Sequence, residues 1–268
     1  MQALQSIKNG DVTSALRELQ AEVRGKPSDP KLRTFLFQLL SVLGQWDRAM
    51  NQLKVVGEFD PLATMMVHTY SRLLQAEALR AEVFAGKRTP VIIGEPPSWI
   101  ALLFRALSLD SQGHHVEASE LRAQAFDQAD AVAGEIDGTS FEWIGDADPR
   151  LGPCVEVMIN GGYSWVPYTR IKRLKVEAPT DLRDKIWTPV EITWANDGQV
   201  VGFIPTRYPN SERAEDGALA LARKTDWLEV ADGVSFGLGQ RLLATDVGDY
   251  PLLDTRVITF NHAATADT

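Results

Sequence analysis

Cysteine is almost missing from this chain of 268 residues: Cys154 stands alone, so no internal disulfide can form. Histidine is nearly as scarce, and the four present do not fall at zinc-ligand spacing. Both shortages weigh against a metal centre and fit a reducing compartment. No apolar run approaches the roughly 18 residues that a bilayer crossing needs. The opening MQALQSIKNGDVTS also lacks the basic start and apolar centre of a secretory leader. A cytoplasmic location with no membrane role is therefore expected. Neither GxGxxG nor a phosphate-loop GxxxxGK motif occurs, and there is no Gly-x-Ser-x-Gly elbow. No cofactor is expected.

Positive charge is in deficit. The net charge is −9, and the excess lies in the second half, where residues 135–268 hold 13 Lys and Arg against 21 Asp and Glu. A surface dominated by carboxylates repels a phosphate backbone, which argues against nucleic acid as a partner. The local exception is Arg170, Lys172, Arg173 and Lys175, a cluster that reads more simply as the guarded edge of a solvated strand.

What is present begins with a repeat. Gly10, Val12, Ala15, Leu19 and Pro27 recur as Gly44, Trp46, Ala49, Leu53 and Pro61, each 34 residues later. This is the period of tetratricopeptide-type hairpins, in which a small residue turns the chain and an alanine lets helices cross closely. A weaker copy runs through Gly113, His115 and Ala118. Leu32, Phe35, Leu36, Leu39, Leu40 and Leu43 form an apolar helical stripe after Asp29-Pro30, and Leu62, Met65, Met66, Tyr70, Leu73 and Leu74 form another after Asp60-Pro61. Both stripes are expected in the core. GKRTPVIIGEPPSW then breaks the helices with a loop or short extended piece, before a helix near Trp99 and a partner from about Val116 to Val132. His68, His114 and His115 read as packing or turn residues rather than ligands.

Helical spacing stops across Phe141 to Ile171. Asn160-Gly161-Gly162 between CVEVMI and YSWVPY is a hairpin signal, and Asn196-Asp197-Gly198 marks a second hairpin. A further strand is expected at Val257 to Phe260, and SERAEDGALALARK (211–224) is expected to hold a short helix. The predicted class is α+β multidomain: a tetratricopeptide-like all-α repeat domain over 1–134, a small β-rich domain, barrel-like or a curved sheet, over 135–262, and a flexible tail over 263–268.

Glu142, Asp146 and Asp148 are the one carboxylate group that invites a chemical reading, a metal-assisted hydrolase. The competing reading is that the aspartates fix the turn before Pro149 and pair with Arg150. Cys154, inside an apolar strand, reads as buried rather than nucleophilic.

GEPPSW (94–99), DADPRLGPCVEV (146–157), YSWVPYTRI (163–171), RDKIWTP (183–189), RYPNSE (207–212), RKTDW (223–227) and GQRLLATD (239–246) together resemble the ImpE/TagJ family of type VI secretion accessory proteins. Tyr168 and Asn210 stand where that pattern has Phe and Gly. The resemblance implies a non-enzymatic cytoplasmic accessory factor that binds the N-terminal helix of the small sheath subunit TssB, with an indirect link to the ClpV ATPase. Within the matching segments Arg150, Trp165, Arg170, Arg207, Arg223, Trp227 and Arg241 are the candidate partner contacts, since Arg and Trp are enriched at binding hot spots. Their competing role is to hold the strand domain together.

Overall fold

The computed structural model describes residues 2–262; the expected tail over 263–268 lies outside the described residues. Seven helices come first: α1 (Gln2–Lys8), α2 (Val12–Gly25), α3 (Pro30–Val42), α4 (Trp46–Phe59), α5 (Thr64–Phe84), α6 (Ile100–Ser111) and α7 (His115–Gln128). α1 packs on α2, α3 on α4 and α6 on α7, while α5 lies against the sheet. α3 starts where Asp29 accepts hydrogen bonds from the Lys31 and Leu32 amides and Pro30 fills the first turn.

The repeat has a structural counterpart. Gly10, Gly44 and Gly113 all take positive φ, at 81°, 64° and 82°, which a residue without Cβ adopts cheaply. Each stands two residues before a helix of 14 residues, α2, α4 and α7. Five residues after each glycine comes an enclosed alanine: Ala15, Ala49 and Ala118. Nine residues after it stand Leu19, Leu53 and then Arg122, all buried. One expectation fails here: Leu62 and Met65 are 95% and 76% exposed. The short turn Pro61–Ala63 precedes α5 and carries Leu62 off the helical stripe, and Met65 sits on the first turn of α5, before its buried face begins at Tyr70.

The segment between α5 and α6 contributes β1 (Val91–Ile92). The sheet-rich part follows with β2 (Gly134–Ile136), β3 (Thr139–Phe141), β4 (Ile144–Asp146), β5 (Cys154–Ile159), β6 (Gly162–Pro167), β7 (Ile171–Val176), β8 (Trp187–Trp194) and β9 (Gln199–Pro205). A one-turn helix α8 (Gly217–Ala220) then leads to β10 (Thr225–Ala231), β11 (Val234–Gly239), β12 (Leu242–Thr245), β13 (Gly248–Pro251) and β14 (Val257–Phe260). Nine strands form one sheet in the order β1, β6, β5, β9, β8, β7, β14, β2, β3. Its end strands β1 and β3 do not pair, so the sheet is open and the barrel-like expectation is corrected. After β3 the chain leaves this sheet: β4 pairs with β12 in a separate sheet of three, and β10 and β11 form a two-stranded ribbon. The basic cluster is corrected as well, because β7 lies between β8 and β14 and is not an edge.

The Asn-Gly turn behaves as its residues require. Asn160 and Gly161 take φ of 53° and 79°, and Ile159 faces Gly162 across a two-residue loop. From that turn the pleat sorts side chains between two cores. Cys154, Met158, Tyr163, Trp165 and Trp187 join the helices in one cluster, while Val155, Val157, Val166, Val190 and Ile192 point to the other face, with Ile258 and Phe260. The helix-side core is therefore continuous across the expected 134/135 boundary.

Candidate functional site

Buried charge gathers in the seam between α5 and the helix-side face of the sheet. The buried face of α5 runs Tyr70, Leu73, Glu77, Arg80, at helical spacing, so it starts aromatic and ends ionic. Tyr70 meets Phe37, Trp187 and Phe203 with ring centroids 5.7–6.0 Å apart. Two turns further, Trp187 Nε1 donates to Glu77 at 2.9 Å. Then Arg80 reaches Glu156 on β5 through Nε at 2.6 Å and Nη2 at 3.1 Å, and donates to the Arg207 carbonyl at 2.8 Å.

Glu156 has no exposed surface and is the hub. It also accepts from Tyr163 Oη at 2.6 Å and pairs with Arg241, which pairs in turn with Asp146 and donates Nε to the Pro205 carbonyl. Burial by itself raises the Glu156 carboxyl, but Arg80 and Arg241 outweigh it and hold the group down at about 2. Burial raises Asp146 to about 6 against the pull of Arg241. Beside this hub Asp148 holds Arg150 through Nε at 2.9 Å and Nη2 at 2.5 Å, and accepts from the Gly237 amide. Arg150 lies over the Phe84 and Phe236 rings, 5.2 and 4.3 Å from their centroids. Four buried guanidiniums, those of Arg80, Arg150, Arg207 and Arg241, thus share the seam with four buried carboxylates, Glu77, Asp146, Asp148 and Glu156. A buried charge without a partner costs several kcal/mol, so this matching is a condition of folding.

The structure separates the seven sequence-picked contacts into two groups. Arg150, Trp165, Arg207 and Arg241 are buried, and their contacts are internal. Trp165 donates Nε1 to Tyr163 at 2.7 Å. Arg207 donates to the carbonyls of Val42 and Ala220, ending α3, and burial lowers its guanidinium to about 10 against Glu212 and Glu77. The other three are exposed. Arg223 donates to the Ile7 and Lys8 carbonyls at the end of α1, a position where a cation suits the helix dipole. Arg170 donates to the Glu95 carbonyl at 3.0 Å and fastens the GEPPSW segment. Trp227 on the ribbon lies 6.0 Å from the Tyr208 ring.

The three acids of the hydrolase reading do not converge. Asp146 is held by Arg241 and Asp148 by Arg150, while Glu142 is exposed. A cation would have to displace two buried guanidiniums, and nothing supports the hydrolase reading. The turn reading holds for both aspartates, since Asp146 accepts from the Asp148 amide and Asp148 from the Arg150 amide, each at 2.9 Å. The pairing with Arg150 holds for Asp148 alone, because Asp146 pairs with Arg241 instead. Burial pushes the Cys154 thiol well up, away from a reactive thiolate. Sequence reading passed over Glu77, Arg80, Glu156 and Tyr163. The signal available for Glu156 was an acid in the middle of the apolar run CVEVMI, where only a paired charge is tolerated.

The class of protein follows first from this fold. A helical layer on one face of an open sheet defines it, and the chain is similar in fold along its whole length to a Vibrio parahaemolyticus protein solved by X-ray crystallography, at a TM-score of 0.91, 26% identity and 100% coverage of both chains. Residues 138–259 match the family described as ImpE protein. The chain is also 52% identical over 260 residues to the type VI secretion system accessory component TagJ of Pseudomonas aeruginosa, covering 97% of this chain and 91% of that one. The chain belongs to the ImpE/TagJ family.

Proposed function

We propose that this protein is a non-enzymatic accessory factor of a type VI secretion system, a cytoplasmic adaptor that binds the N-terminal helix of the small sheath subunit TssB and is thereby linked to sheath assembly or ClpV-dependent recycling. The observation that carries this reading is 52% identity over 97% of the chain to a protein named as an accessory component of that system. The interior fits an adaptor, since its acids are spent on arginines, and among the described residues no helix is long and apolar enough to cross a membrane. In this reading the hairpins are tetratricopeptide-type units, 1–134 and 135–262 are two domains, and Arg170, Arg223 and Trp227 are the surface members of the contact set.

The test is binding of the full-length chain to a synthetic peptide of the sheath-subunit helix and to the whole subunit. Micromolar association with both is expected. Absence of binding to either, with the chain folded by circular dichroism, overturns the adaptor reading.

A further inference from the structure

Two clefts meet at Trp46 and run along α5. The first, about 280 Å³, is walled by Phe84, Arg150 and the loop carrying Asn210 and Arg213. The second, about 530 Å³, lies between the start of α4 and the α5 residues Leu74, Gln75 and Ala78. From Leu74 to Phe84 their common floor is about 15 Å long at the helical rise per residue, the length of roughly three turns of a partner helix.

The two ends differ in chemistry. Trp46, Met50, Leu74 and Ala78 make one end apolar. At the other end two buried arginines are only partly satisfied. Arg150 is 7% exposed, and Asp148 takes its Nε and Nη2, leaving Nη1 without an acceptor among the described residues. Arg80 gives Nε and Nη2 to Glu156, while among the described residues its Nη1 has only Glu77 at 3.5 Å, beyond good hydrogen-bond distance. Both arginines line the cleft, and Arg213 stands exposed at its rim. Phe84 and Phe236 fix the Arg150 guanidinium in place, so its outward edge is pre-oriented.

We infer that this groove seats one amphipathic helix of a partner protein, its apolar side on Trp46, Met50 and Leu74 and one carboxylate side chain on the open edges of Arg80 and Arg150. The inference rests on the adaptor reading and places its binding surface. Charge selects the occupant. Glu77 and Glu212 stand in the same cleft and repel a string of phosphates, whereas a single carboxylate needs only a guanidinium edge.

The test follows a fluorescein-labelled sheath-helix peptide by anisotropy against the full-length chain. Ala78→Trp and Ala81→Trp fill the groove from exposed positions on α5, and each is expected to weaken binding about tenfold, the equivalent of 1.4 kcal/mol, with the melting temperature unchanged. Replacing the peptide's Asp and Glu one at a time by Asn and Gln is expected to reveal one position that costs about fivefold. Peptide binding that both tryptophan variants leave intact overturns the groove and leaves the adaptor reading standing. Weakening by both variants with no single acid mattering overturns the carboxylate anchor. No binding of the wild-type chain to peptide or whole subunit overturns the adaptor reading, and the groove falls with it.

Discussion

The first two helical hairpins and the seam beneath α5 are both closed to water, yet they are held by opposite means. In the hairpins, the position nine residues after each turn glycine is Leu19 or Leu53, fully enclosed among other apolar side chains. In the seam, Glu156 is equally enclosed among Arg80, Arg241 and Tyr163. Apolar contacts are non-directional and tolerate small shifts, whereas a buried ion network is stable only when every member is present and placed. The third hairpin stands between the two. Its equivalent residue is Arg122, paired with Asp110 at 2.5 Å, and its Nε and Nη2 have no partner among the described residues. A charge has entered the leucine position where α7 meets the ribbon residue Phe236, 5.6 Å from the guanidinium.

The largest expected effect breaks the seam. Glu156→Gln leaves Arg80 and Arg241 without their shared counter-charge and is expected to cost about 3–5 kcal/mol. Leu53→Ala, a cavity in the apolar hairpin, is expected to cost about 2–5 kcal/mol. Urea denaturation at two pH values separates them. The Glu156→Gln deficit is expected to shrink on acidification, because the wild-type carboxyl protonates too, while the Leu53→Ala deficit stays constant; equal behaviour of the two variants ends the contrast.

The wild-type pH profile sharpens the same point. Glu156 is depressed from 4.5 to about 2, so its contribution is present above pH 4.5 and is lost as pH falls through about 2. At about 1.4 kcal/mol per pKa unit this amounts to about 3 kcal/mol. Asp146 is raised from 3.8 to about 6, so its contribution is present below pH 3.8 and is lost as pH rises through about 6. Asp146→Asn is therefore expected to flatten the slope of stability between about pH 4 and 6, read from denaturant midpoints. A slope that survives this substitution assigns it to another group.

A smaller effect is expected in the third hairpin. Replacing both Arg122 and Asp110 by Leu restores an apolar interior, and the change is expected to be neutral or stabilising by about 1 kcal/mol in thermal melts. A large loss there places the third hairpin with the seam. The smallest effect is on the surface, where Leu62→Ser and Met65→Ser are expected to stay within about 0.5 kcal/mol of wild type.

Local patterns were legible because their causes are local. The 34-residue offset located the turn glycines and crossing alanines, since φ and side-chain size act within one hairpin. Asp29-Pro30 located a helix start, and Asn160-Gly161 a hairpin, for the same reason. The motif segments located the family, although four of the seven residues drawn from them as partner contacts lie inside. What those residues do depends on distant partners: Arg80 meets Glu156 across 76 positions, and Arg241 meets Asp146 across 95.

By itself, then, the sequence determined that a helical half precedes a strand-rich half, where the turn glycines and two hairpins fall, and membership of the ImpE/TagJ family. Only the tertiary structure decided that Asp146 and Asp148 brace arginines, that the sheet stays open, and that Leu62 faces water. The physical reason is range. Backbone conformation answers to neighbouring residues, whereas a buried charge answers to whichever opposite charge the fold brings within hydrogen-bond reach.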